Sequence, residues 1–127
     1  RGAASATLVE ADRLAIKVVE ENARALALSE RARILRIDLG APERLVRALA
    51  GARFDLIFLD PPYASIEHAM RCLEALARSG TLAPAAVVVI EHARRGAPTL
   101  PEGFREVSTY RYGDTAVVLA HAPEELP

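Results

Sequence analysis

Cysteine is almost missing from this chain: Cys72 stands alone, so no internal disulfide can form. A lone cysteine points to a reducing compartment, and the chain reads as cytoplasmic. No apolar run approaches the roughly 18 residues needed to span a bilayer, which excludes a helical membrane protein. A signal peptide is lacking too, because Arg1-Gly2-Ala3-Ala4-Ser5 has no apolar core. The chain carries no initiator methionine and starts abruptly, so it reads as a fragment or a processed chain. Lysine is nearly absent: of the 16 basic residues only Lys17 is not arginine. Arginine suits bidentate phosphate contact, although codon usage in a GC-rich genome, with its many alanines, is the plainer explanation. A net charge of −1 argues against a protein that grips nucleic acid over its whole surface.

What is present suits one soluble domain. The 127 residues are 51% hydrophobic and 26% charged, enough to bury a modest core and too apolar for disorder. Ala6–Glu10 are short, apolar and partly β-branched, as in a strand. Asp12 then caps a helix over about 13–27, with Lys17, Glu20, Glu21 and Arg24 outward and Ala15, Val18, Val19, Asn22 and Leu26 inward. A second strand at about 33–37 ends at Asp38, and Pro42 opens a short helix to about Ala50. Phe54–Leu59 form a strand without alternation, as expected where both faces are covered. Ser65 caps a helix to about Arg78, with Ile66, Ala69, Met70, Leu73 and Ala77 on one side. Ala85–Ile90 read as another apolar strand and Ala93–Gly103 as a loop. Strands at about 104–110 and 114–121, joined tightly through Tyr112-Gly113-Asp114, pair antiparallel. The order β-α-β-α-β-α-β followed by a hairpin predicts an α/β sandwich, mainly parallel with an antiparallel end, as one domain over residues 1–127.

Ligands of open parallel sheets bind beyond the carboxyl ends of the strands, and three strands here end in an acid: Glu10, Asp38 and Asp60. Two such acids could frame an adenosine-bearing cofactor. Asp38 is equally an ordinary turn residue before Gly40, Asp12 is a helix cap, and Asn22 reads as a satisfied core amide. In Asp60-Pro61-Pro62-Tyr63, proline holds the preceding residues extended and removes two backbone donors. That leaves a carboxylate and carbonyl oxygens for a ligand that donates hydrogen bonds, with the Tyr63 ring available to stack on a base.

Asp60-Pro61-Pro62-Tyr63 resembles the [D/N/S]-P-P-[Y/F/W] motif of amino-methyltransferases that use S-adenosylmethionine. With Leu8–Asp12, Glu21-Asn22, Asp38, Glu91-His92 and Tyr112–Thr115, nearly the whole chain is similar to the bacterial RsmD-type methyltransferases. These methylate the N2 amine of a guanine in small-subunit (16S) ribosomal RNA. The resemblance implies a Rossmann-like class I methyltransferase fold, S-adenosylmethionine as cofactor, and ribosomal RNA or the small ribosomal subunit as partner. It implies that Glu10, with Ala11, binds the cofactor ribose and that Asp38 and Leu39 line the adenine. It implies that Asp60 and the Pro61 carbonyl hold the target amine next to the cofactor, with Pro62 shaping the tip and Tyr63 stacked on the base. Arg94 and Arg95 could touch RNA phosphates, or form a solvated surface pair.

Family members open with a strand and a glycine-rich turn that this chain does not show, the strand lying between those at 6–10 and 54–59. The chain alone is therefore expected to bind S-adenosylmethionine weakly or not at all. His68, His92 and His121 have no metal-ligand spacing, and Cys72 reads as a small packing residue rather than a nucleophile. The same planar-amine chemistry also suits DNA adenine or cytosine, or a protein glutamine, and a non-catalytic interaction domain is the contrasting reading.

Overall fold

A computed structural model of the chain describes residues 2–125; Arg1, on which the expected start of the chain falls, lies outside them, with residues 126 and 127. The described residues make α-helices and β-strands in the expected order and divide into two compact units, one up to Asp38 and one from Leu39. Among the described residues no helix is long and apolar enough to cross a membrane.

The first unit is one β-α-β turn of chain. Strand β1 (Ala6–Glu10) runs parallel to β2 (Ala32–Arg36), Ala6 facing Ala32 and Glu10 facing Arg36. Helix α1 (Arg13–Ala25) joins them. It starts where expected because the Asp12 carboxylate accepts from the Ala15 amide at 2.7 Å, satisfying one donor the helix cannot. Its inward stripe is the expected one at Ala15 and Val19 and departs from it elsewhere. Ala15, Ile16 and Val19 are half-buried and Ala23 is buried, whereas Asn22, Val18 and Leu26 are exposed. The 3.6-residue period was right, and the covered stripe is rotated toward Ile16 and Ala23. The helix ends two residues earlier than expected. Ala27 takes φ +55°, its amide bonds the Arg24 carbonyl and the Leu28 amide bonds that of Ala23. This is a Schellman motif with alanine where glycine is usual.

The second unit holds the four-stranded sheet. Helix α2 (Pro42–Ala48) begins with proline as its first residue and buries Leu45, with Leu49 buried just beyond its end. Strand β3 (Phe54–Leu59) leads through a 3₁₀ turn (Tyr63–Ser65) into helix α3 (Ile66–Arg78). Ser65 occupies the N-cap position, but its side chain makes no cap bond; the 3₁₀ turn supplies the local pairing through Ser65 amide to Pro62 carbonyl at 2.8 Å. Strand β4 (Leu82–Ala93) is longer than expected at both ends. The chain bulges after Pro84: Ala85 has φ +54°, and the pairing of β3 with β4 slips between Phe54 and Leu56.

Strands β5 (Arg105–Tyr112) and β6 (Thr115–His121) close the sheet in the order β3-β4-β6-β5. The β3–β4 pair is parallel, and β4–β6 and β5–β6 are antiparallel. Only Gly113-Asp114 separate the last two strands. Gly113 at φ +58° meets the demand of a two-residue hairpin for positive φ at its first central position.

One sheet face is buried by Leu82, Ala86, Val88 and Ile90 of β4 with Ala116, Val118 and Ala120 of β6. Helix α3 packs on β4 with Ala69, Met70, Leu73 and Leu76, and α2 packs on α3. Cys72, expected to be a packing residue, is 1% exposed and its thiol donates to the Leu39 carbonyl. Strand β3 is covered on this face alone. Leu56 and Phe58, whose register partners are Val87 and Val89, are 46% and 70% exposed. A continuous apolar run cannot by itself report whether the second face is covered.

Candidate active site

In the first unit, Glu10 and Asp38 lie at the same, carboxyl end of the two parallel strands. The Ile37 amide donates to the Glu10 carbonyl at 3.1 Å, which keeps the chain paired almost to Asp38. Glu10 is half-buried and Asp38 exposed. Oε1 of Glu10 accepts from the amides of Ala11 and Asp12, both at 2.8 Å. One oxygen thus fixes the carboxylate against the turn, and Oε2 is left for another donor. Ala11 contributes through its backbone: its amide goes to Glu10 and its carbonyl accepts from Nε of Arg36 at 3.2 Å. A carboxylate fixed in this way offers acceptors to a pair of neighbouring hydroxyls, the pattern of a ribose.

Leu39, half-buried, opens the second unit, where its carbonyl accepts from the Cys72 thiol. Strand β3 delivers Asp60 to the carboxyl edge of the sheet. There the double proline imposes extended backbone, with Pro62 at φ −51° and ψ 143°. Asp60, Pro62 and Tyr63 are exposed, and Pro61 is buried, pinning the tip to the domain. The sequence leaves all the tip carbonyls open, but that of Pro62 is taken by the Ser65 amide. No hydrogen bond to the Pro61 carbonyl is seen among the described residues.

Tyr63 is 54% exposed and its hydroxyl makes a hydrogen bond. Its hydroxyl lies 3.1 Å from Oγ1 of Thr115, at the start of β6. The loop after β4 converges on the same turn. The Arg94 amide donates to the Asp114 carbonyl at 2.7 Å, and its Nη1 to that of Gly113 at 3.4 Å. Arg94 and Arg95 are both exposed. The tip after β3, the loop after β4 and the β5–β6 turn are therefore one cluster. Tyr112–Thr115 was legible as a motif, but its bond to Tyr63 was not, because 52 residues separate the two hydroxyls. His92 is 3% exposed; its Nδ1 bonds the Ala93 carbonyl and its Nε2 has no partner among the described residues. No group of three or more His, Cys, Asp and Glu able to hold a metal occurs among them either.

The profile of the family described as Conserved hypothetical protein 95 matches residues 1–121. No curated protein matches the sequence. Among solved structures, a conserved hypothetical protein from Streptococcus pyogenes is 31% identical with a TM-score of 0.83, over 96% of this chain and 74% of that one. The Escherichia coli protein yhhF, assigned as a methyltransferase, is 25% identical with a TM-score of 0.76, over 97% of this chain and 66% of its own length. An RNA methyltransferase from Salinibacter ruber, in complex with S-adenosyl-L-homocysteine, shares the fold at 19% identity and a TM-score of 0.54, over 97% and 69% of the two chains. The α/β fold with its parallel strands and antiparallel hairpin is thus that of class I methyltransferases.

Proposed function

Since the chain belongs to the Conserved hypothetical protein 95 family and has the class I methyltransferase fold, we propose that its parent protein methylates the N2 amine of a guanine in small-subunit ribosomal RNA. The observation that carries this reading is the acceptor corner: exposed Asp60, the Pro61 carbonyl and the half-exposed ring of Tyr63. A ligand with a flat ring and an exocyclic NH2 fits it.

The guanine N2 lone pair is delocalised into the ring and attacks poorly. Asp60 and the Pro61 carbonyl accept hydrogen bonds from the amine hydrogens, which favours a pyramidal nitrogen and stabilises the positive charge that grows there. Tyr63 stacks on a base turned out of its helix or loop and fixes the angle of attack. Alignment is the main demand of such a direct transfer, because the protein forms no covalent bond of its own.

The residues present fit the adenosine half of S-adenosylmethionine. Glu10, fixed through Oε1 by two amides, keeps Oε2 for ribose hydroxyls. Asp38 and Leu39 are proposed to border the adenine, and Asp60 to stand next to the reacting end. When bound, this cofactor supplies an electrophilic methyl group on a sulfonium. The Salinibacter ruber neighbour, with S-adenosyl-L-homocysteine bound, supports that choice. Arg94 and Arg95 are proposed to meet RNA phosphates.

The test is transfer of labelled methyl by the full-length parent to small ribosomal subunits, naked ribosomal RNA, DNA and protein. Label is expected in ribosomal RNA at guanine N2, and Asp60→Ala should lower kcat about a hundredfold or more, as loss of a preorganised charged group does. Label confined to DNA or protein, or full activity in Asp60→Ala, overturns the assignment.

A further inference from the structure

The chain contains three tyrosines, Tyr63, Tyr110 and Tyr112, and all three are exposed: 54%, 48% and 65%. They are also on one surface of the second unit. Tyr112 is the register partner of Thr115, so the two side chains leave the hairpin on the same face. Thr115 is the residue that holds the Tyr63 hydroxyl. Tyr110 lies two residues before Tyr112 and emerges on that face again, about 6.8 Å along β5, two strand rises. Beyond β5 the sheet has no further strand among the described residues. A row of aromatic rings therefore leads from the acceptor corner along the edge of the sheet.

The charges beside the row are mixed and local. Arg94 is tied to the turn by its own amide and guanidinium, and Arg95 follows it, exposed. Asp114 in the turn and Glu91 near the end of β4 oppose them. A duplex presents a double row of phosphates and hides its base faces, so it would meet few cations here and no use for the rings. An unpaired strand offers the reverse: base faces for the tyrosines and a single backbone for Arg94 and Arg95.

We infer that the β5–β6 hairpin is a docking platform for unpaired RNA, on which the nucleotides next to the target base stack on Tyr112 and then Tyr110. The inference rests on the proposed RNA substrate and adds to it the strandedness that this surface reads. Tyr63 takes the target base, and Thr115 sets the distance between that base and the platform. Each stacked base adds affinity without demanding a particular sequence, because every base has a π-face.

The experiment is fluorescence anisotropy with the full-length parent, using a 12-nucleotide single-stranded RNA and the same strand annealed to its complement. Wild type should bind the single strand more tightly than the duplex. Tyr112→Ala should weaken single-strand binding about tenfold, the loss of one stacked base, with duplex binding unchanged. Tyr112→Phe keeps the ring and should restore most of the affinity, and equal melting temperatures exclude a folding defect. Single-strand binding by Tyr112→Ala within twofold of wild type, or equal loss with Phe and Ala, overturns the platform while leaving the methyl-transfer reading intact. Failure of wild type to bind the single strand more tightly than the duplex likewise overturns the platform, whereas the methyl-transfer reading stands or falls by the labelling assay.

Discussion

The hydroxyls of Tyr63 and Thr115 meet at 3.1 Å, tying the tip after β3 to the first residue of β6. Tyr63 is otherwise open to solvent over half its surface, so this bond sets the tilt of the ring. Thr115→Val keeps the shape of the side chain and removes only the hydroxyl. An intramolecular hydrogen bond is worth about 1 kcal/mol, so kcat/KM for the RNA substrate should fall about fivefold. Thr115→Ser should restore wild-type kinetics. A Val variant indistinguishable from wild type would show that the ring needs no tether.

Glu10 predicts a separable effect on the cofactor. Glu10→Gln retains an acceptor for the amides of Ala11 and Asp12, so the turn should persist and the melting temperature should hardly move. The charge that strengthens bonds to ribose hydroxyls is lost. A hydrogen bond to a charged group contributes about 1.5–3 kcal/mol, so affinity of the full-length parent for S-adenosylhomocysteine should fall at least about tenfold by calorimetric titration. Unchanged affinity would remove Glu10 from the cofactor site.

Ala27 is a place where the sequence can be improved. It adopts φ +55° at the end of α1, a conformation that costs an L-residue about 1–2 kcal/mol and glycine almost nothing. Ala27→Gly should therefore raise stability by about 1 kcal/mol in denaturant unfolding, since the usual penalty of glycine is outweighed where φ is positive. A loss of stability would mean that Ala27 is not left-handed in solution.

Phe58, 70% exposed on β3, adds little to the stability of the second unit. Phe58→Ser should change the unfolding free energy of this 127-residue chain by less than about 0.5 kcal/mol and reduce its binding of a hydrophobic dye. A large destabilisation would show that the ring is covered in solution.

The local elements were legible because their signals are local. Asp12 announces a cap, Pro42 a first helical residue, and Gly113 a turn that needs positive φ; the structure has all three. The phase of α1 was read only in part, right at Ala15 and Val19 and wrong at Val18, Asn22 and Leu26, because alanines can line either face. The early start of β4 was missed for a related reason, since the irregularity at Ala85 interrupts the apolar run without ending the strand.

The candidate site divides in the same way. By itself the sequence determined the chemistry of the corner, because an acid followed by two prolines is extended and rich in acceptors in any fold. That the Ser65 amide takes the Pro62 carbonyl was decided by the 3₁₀ turn that follows, which the motif alone does not announce. The union of Tyr63, Thr115 and Arg94 was a tertiary outcome, since its contacts cross long stretches of chain and follow from strand order and register. Short-range rules act through a few backbone torsions and can be read from neighbouring residues. Pairing across the sheet depends on every strand between, and no single stretch of sequence carries it.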